Sequence, residues 1–241
     1  MKIAAVMPVH GRLSFWPITV GRLSRQTGLS SPIRTVIVGW TEEERVAAER
    51  VGAHFVRHDN QCLGAKWQYG IDRAMELYDP DAILIVGSTD WISDTWCSCM
   101  APHIEAGADL VGKRGIYFLD VRPGNAKRMI WWAGYGPGPR QDEPIGAGRL
   151  ISRRIINKLR GIVFDPVPKS LDWSCYQRVL GAGGKVVCAD TLPCQALSVS
   201  CYLWSNLHSF KREAEFPTAT PINQPDAVLS ANFPDALEVF R

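Results

Sequence analysis

The chain has 241 residues, 46% of them hydrophobic, and its 27 Lys or Arg against 24 Asp or Glu leave a formal net charge of +3. That length and apolarity can bury a large core without disulfide or metal staples, and they do not demand a second domain. No apolar run reaches about 18 residues, which excludes a membrane-spanning helix, and the start lacks the cleavable apolar stretch of a secretory signal, so the cytoplasm is the expected compartment.

Through the first 112 residues, apolar strand-like runs alternate with helix-like ones. The pattern predicts strands at residues 3–7, 33–39, 54–57, 82–86 and 109–111, and helices at 13–26, 42–51, 65–78 and 94–105. Such alternation predicts an α/β fold with a mostly parallel sheet flanked by helices. Between Gly112 and Gly148 the texture changes to Gly, Pro and aromatic residues, among them Tyr117, Phe118, Trp131, Trp132 and Tyr135. This stretch reads as a β-rich or irregular insertion, with 134–139 the segment most apt to move. Helices near 152–160 and 171–180 and a strand at 185–188 follow. Beyond Phe216, Pro217, Pro221, Pro225 and Pro234 predict an extended arm or a disordered end. The expected organisation is one domain over 1–215, with halves 1–112 and 113–215, and a Pro-rich arm over 216–241.

Two compositional signals bear on partners. The seven cysteines show no C-x-x-C pairing of a zinc site, and reduced thiols are expected because cytosolic disulfides are rare. Residues 113–160 carry 11 Lys or Arg against 3 Asp or Glu, a local net charge of +8. A basic middle can face an anionic partner; the competing reading is a solvated face.

Three polar sites each end an apolar run: Pro8-Val9-His10-Gly11, Gly87-Ser88-Thr89-Asp90, and Leu171-Asp172-Trp173 at a helix start. Open α/β sheets bind ligands at the carboxyl ends of their strands, which is where such residues fall. Asp90 can hold a hard cation, with oxygen donors from Ser88 or Thr89; otherwise it caps the next helix or turn. Lys66, two residues after Gly64 at a helix start, can bind phosphate together with free backbone N–H groups. Asp172 sits at a helix N-terminus that favours its ionised form, so it can serve as a general base or simply cap the helix.

The order of these motifs resembles that of the GT-A fold glycosyltransferases of inverting family 2. Ala4-Ala5-Val6-Met7-Pro8-Val9-His10 resembles their opening strand and turn, and Leu63-Gly64-Ala65-Lys66-Trp67-Gln68-Tyr69-Gly70-Ile71 the Gly-rich start of the helix before the metal strand. Ile83 to Trp91 falls where that family carries its D-x-D signature. Gly161-Ile162-Val163-Phe164-Asp165, the run Leu171 to Arg178, and Gly183-Gly184-Lys185 resemble its later block of acids, Arg and Gly-x-Lys. The resemblance covers roughly residues 2–190 and implies a GT-A sheet with a β-rich acceptor side. Two departures stand out: Gly87, Ser88 and Thr89 replace the acidic cluster and leave Asp90 alone, and Leu171-Asp172 replaces an E-D pair.

The resemblance implies roles. A nucleotide sugar such as a UDP-sugar would be the donor, meeting Pro8, His10, Arg12, Asp59, Asn60, Gly64, Lys66, Ser88 and Thr89. A divalent cation, Mn2+ or Mg2+, would rest on Asp90, with His208 as an extra ligand. Asp172 would be the base of an inverting, hexosyl-type transfer, while Trp173, Trp131 and Trp132 offer faces for stacking. The +8 segment would suit a hydroxymethylated DNA base or another phosphate-bearing acceptor, since cations neutralise phosphates and aromatic faces stack bases. A polysaccharide or lipid-linked saccharide acceptor fits as well. A non-catalytic nucleotide-sugar or nucleic-acid binding module is the alternative of a different class. A nucleotidyltransferase would want a Gly-rich phosphate signature and paired metal carboxylates, and neither is present.

Overall fold

The computed structural model of the protein describes residues 1–122, 127–191, 195–203 and 210–235. In chain order the elements are β1 (Ile3–Pro8), α1 (Trp16–Ser24), β2 (Arg34–Gly39), α2 (Glu42–Arg50), β3 (His54–Arg57), α3 (Leu63–Tyr78), β4 (Ala82–Ile85), β5 (Asp90–Ile92), α4 (Trp96–Glu105) and β6 (Leu110–Gly112). They continue with β7 (Ile116–Asp120), β8 (Arg128–Trp132), β9 (Arg149–Ser152), α5 (Arg153–Lys158), α6 (Leu171–Gly181), β10 (Val186–Cys188), β11 (Ser198–Tyr202), α7 (Phe210–Ala214), β12 (Ala219–Ile222) and α8 (Pro225–Asn232).

Two sheets result. The larger runs β10-β6-β9-β4-β1-β2-β3, parallel throughout except for β9, which lies antiparallel to both β4 and β6. β1 is central and buried along its whole length, the near-continuous apolar run of a strand covered on both faces. Its alternation sorts the core: Ile3, Ala5 and Met7 pack with Trp16 and Leu23 of α1 and Met100 of α4, whereas Ala4 and Val6 face Ile71 of α3 and Val179 of α6. The smaller sheet runs β12-β8-β7-β11-β5. The expected insertion is therefore no separate excursion, because its hairpin β7–β8 is joined by β5 from the first half and by β11 and β12 from the end of the chain.

Residues 219–232 depart from the expected arm. Pro221 lies in β12, an edge strand that needs no N–H on its open side, and Pro225 opens α8, where a missing N–H costs nothing. Leu229 and Phe233 are fully buried in a cluster with Phe15 and Trp91, so this segment belongs to the core of the smaller sheet. The expectation of reduced thiols is also corrected: Cys62, Cys97, Cys175, Cys188 and Cys201 are free, but Cys99 is disulfide-bonded, a pairing that sequence spacing could not reveal. Among the described residues no helix is long and apolar enough to cross a membrane.

Candidate active site at the junction of the two sheets

β1 ends at a sharp turn, and the turn is fixed by a carboxylate from elsewhere. Glu44, 1% exposed in the capping box of α2, accepts from Gly11 N–H at 2.6 Å, Trp40 N–H at 2.7 Å and Thr41 N–H at 3.1 Å. One buried acid thus ties the loop after β1 to the loop after β2, and sequence reading missed it. Beyond Gly11 the backbone of Arg12 turns left-handed (φ 56°), and its guanidinium donates to Ser88 Oγ at 3.1 Å.

These loops form one wall of a cleft of about 370 Å³, at the carboxyl ends of β1 and β4. Seven of the expected donor residues meet there: Pro8, His10, Arg12, Asn60, Lys66, Ser88 and Thr89. Lys66 is 2% exposed and donates from Nζ to the Val9 carbonyl and to Asn60 Oδ1. Burial pushes its pKa down to about 8.

Two expected residues lie elsewhere. Asp59 accepts from Gln61 N–H at 3.0 Å, an Asx turn at the cleft's edge rather than a wall. Gly64 faces the loop before α6: its N–H donates to the Val167 carbonyl at 3.1 Å, and a Cβ there would sit 2.8 Å from that oxygen. Its small size lets α3 approach that loop.

Asp90 stands where the chain leaves the larger sheet for the smaller one, as the first residue of β5 opposite Ser200 of β11. Its carboxylate accepts from Gly87 N–H at 2.9 Å and from the Ser200 hydroxyl. Its pKa is raised, first by burial; those two hydrogen bonds act against the rise, the neighbouring charge of Asp172 adds to it, and Arg12 opposes it. Because this environment disfavours the ionised form, Asp90→Asn is expected to raise the melting temperature at neutral pH. A melting temperature lowered by the substitution would show that Asp90 is held as a favourable charge.

Asp172 lies in the first turn of α6, as the sequence suggests, but a residue unnoticed there anchors it. Arg149, 1% exposed, donates to the Asp172 carbonyl at 2.8 Å, to Glu143 Oε1 at 3.0 Å and to the Ile145 carbonyl at 3.1 Å. In the sequence it is only one cation of the basic run. Asp90 and Asp172 line the same two cavities. The smaller, about 130 Å³, shares Trp67 and Gly87 with the cleft at the ends of β1 and β4; the larger, about 520 Å³, opens between β7, β8 and β11 and is walled by Phe118, Trp132, Tyr135 and Tyr202. Of the tryptophans expected to stack, Trp132 lines the larger cavity. Trp131 turns to the other face of β8 against Tyr117, and Trp173 packs on Tyr176.

Among the described residues no three His, Cys, Asp or Glu side chains gather into a group that could hold a metal ion. Asp90 offers one carboxylate, already bonded on one oxygen, and His208 lies outside the described residues. Among the described residues that donor set is incomplete for a resident cation.

No family model matches the chain, and no curated protein matches it in sequence. Solved structures do match its fold. A crystal structure of S. aureus TarS in complex with UDP superposes with a TM-score of 0.58 at 12% identity, covering 84% of this chain and 61% of that one. GalNAc-T7 with UDP, GalNAc and Mn2+ gives 0.59 at 14% identity, covering 84% of this chain and 44% of that one. The chain thus spans less than two thirds of the length of either structure. With its mostly parallel sheet, its helices on both faces and these likenesses, the chain has the GT-A fold.

Proposed function

We propose that the protein is a nucleotide-sugar-dependent glycosyltransferase that inverts the configuration of the transferred sugar. The observation that carries this reading is the placement of Asp172 and Asp90 between a cleft lined by Arg12 and Lys66 and a second, aromatic cavity. A donor diphosphate fits the first space and an acceptor the second, which brings the anomeric carbon to the junction. The UDP held by TarS and by GalNAc-T7 in the matching folds supports a uridine nucleotide here.

In the reaction the acceptor oxygen forms a bond to the anomeric carbon while that carbon's bond to the diphosphate oxygen breaks. The bonding pair leaves on the nucleoside diphosphate, and the hydroxyl proton passes to Asp172. A single displacement assisted by one base inverts the anomeric centre. The cationic side chains Arg12 and Lys66 face the charge that grows on the leaving group, in a cleft where charge stabilisation counts for more than in water. Calorimetric titration with UDP and the other nucleoside diphosphates, followed by product analysis with a panel of nucleotide sugars, tests the reading; binding of another nucleotide alone would end the uridine assignment, and no binding of any of them would end the reading.

The lowered pKa of Lys66 gives a pH signature. Its charge is lost as pH rises through about 8, well before an ordinary lysine at 10.5. UDP affinity is therefore expected to fall by up to about tenfold between about pH 7 and about pH 9, as the charged fraction drops. Lys66→Met should bind UDP more weakly and with a flat profile over that range. A parent profile as flat as the variant's would remove Lys66 from the phosphate site.

A further inference from the structure

Arg12 reaches the cleft from a backbone conformation that needs support. Its φ of 56° is left-handed, which is unfavourable for any residue with a Cβ and persists only where the surroundings enforce it. Two anchors do so. On one side, Gly11 donates its N–H to Glu44 and its carbonyl accepts from Trp16 Nε1 at 3.1 Å. On the other, the Phe15 N–H donates to the Arg12 carbonyl at 2.9 Å, and the Phe15 ring stacks on Trp91 with 11° between planes and 6.3 Å between centroids.

Trp91 is held in turn from the opposite end of the chain. Phe233, fully buried just after α8, packs on it at 6.3 Å between ring centroids. Two arginines of α1 and its C-terminus secure that segment. Arg22 lies over the Phe233 ring, 4.5 Å from its centre, and donates to the Asn232 carbonyl at 3.2 Å and to the Asp235 carboxylate. Arg25 donates to the other Asp235 oxygen at 2.8 Å, and both arginines also pair with Asp94, two residues beyond β5. Thr19, on the same helix, donates to the Asp90 carbonyl at 3.0 Å. Phe15, Trp91, Leu229 and Phe233 therefore form one buried cluster that joins the loop carrying Arg12, the strand carrying Asp90 and the segment ending at Asp235.

Resting on the nucleotide-sugar reading of the cleft, we propose that Phe233 and Asp235 are positioning residues for the donor: the segment 225–235 is a strap that holds Arg12 in place through Trp91 and Phe15, and so sets the affinity for the nucleoside diphosphate. Neither residue lines any of the three cavities, so each acts through the aromatic stack. Without the Phe233 ring, Trp91 gains room to shift and Phe15 follows it. The Arg12 backbone then relaxes out of the left-handed region and draws its guanidinium away from Ser88 Oγ, its partner at 3.1 Å. Loss of the Asp235 charge acts more weakly, because buried Leu229 still seats α8.

The test compares the parent with Phe233→Leu, which keeps an apolar side chain but removes the ring, and with Asp235→Asn and Asp235→Glu. Calorimetry reads the Kd for UDP and for the other nucleoside diphosphates at a temperature where melting curves show every variant folded. For the nucleotide that the parent binds, Kd is expected to rise about tenfold in Phe233→Leu and about threefold in Asp235→Asn, the range of coupling carried by packed side chains, and to return to the parent's value in Asp235→Glu. Without nucleotide, hydrogen exchange read by mass spectrometry should be about tenfold faster over residues 9–16 and 89–93 in Phe233→Leu and unchanged over 171–181. A lowered melting temperature with Kd unchanged, or unchanged exchange over 9–16, would show that the strap serves stability alone and overturn the proposal. A parent that binds no nucleoside diphosphate would instead remove the transferase reading, and the exchange pattern reports on the strap independently of it.

Discussion

Asp172→Asn is expected to lower transfer to the acceptor by about 10² or more while leaving nucleotide affinity within a few-fold, because the amide keeps the shape of the side chain and cannot take a proton. Two observations support this proposed role over that of a helix cap. Asp172 lies in the first turn of α6, after Ser170, and its own backbone carbonyl is held by Arg149 at 2.8 Å. The start of the helix is thus anchored through the backbone, and its carboxylate is left facing the two cavities shared with Asp90. Steady-state kinetics with saturating donor, alongside UDP titration of parent and variant, give the answer. Transfer unchanged in Asp172→Asn, or a melting temperature lowered in step with activity, would return the residue to a purely structural role.

Much of the cleft at the ends of β1 and β4 was legible because it is local in sequence. The runs 3–7 and 82–86 announce buried parallel strands, the polar residues just beyond them fall at the strand ends, and the open α/β architecture turns those ends into a cleft. The lining of the larger cavity was not legible, for a reason that Ser200 illustrates. It meets Asp90 only because β11 pairs antiparallel with β5, and nothing near position 200 marks that partner 110 residues away. Glu44 and Arg149 were hidden differently. Each reads as a surface charge on its own element, yet each is 1% exposed and organises loops that carry site residues. Charge counting was incomplete in the same way: a local excess of Lys and Arg says nothing about acids from other segments, and Asp79, Asp109 and Asp226 pair with Arg153, Arg154 and Lys127 in the fold, offsetting three of the eight charges. The prolines after Phe216 misled because proline forbids regular structure only where an N–H is needed, and an edge strand and a helix start do not need it.

Gly146→Ala is expected to cost about 10²-fold in kcat through a residue that carries no chemistry, with nucleotide affinity and melting temperature close to the parent's. A Cβ at this position would sit 2.6 Å from Cγ of Asp172, too close to be accommodated without movement. The obstructed group is the end of a side chain, so the cheapest relief is rotation of the carboxylate while the backbone stays in place. A displacement of roughly 1 Å at a reacting group is enough for a loss of this size. Gly64→Ala makes the contrast, since its Cβ would meet the backbone carbonyl of Val167 at 2.8 Å, which cannot rotate away; that variant should lose stability first and activity only with it. Parallel melting curves and kinetics of the two variants decide. If Gly146→Ala keeps full kcat, the carboxylate of Asp172 tolerates displacement and cannot be the base that takes the acceptor's proton.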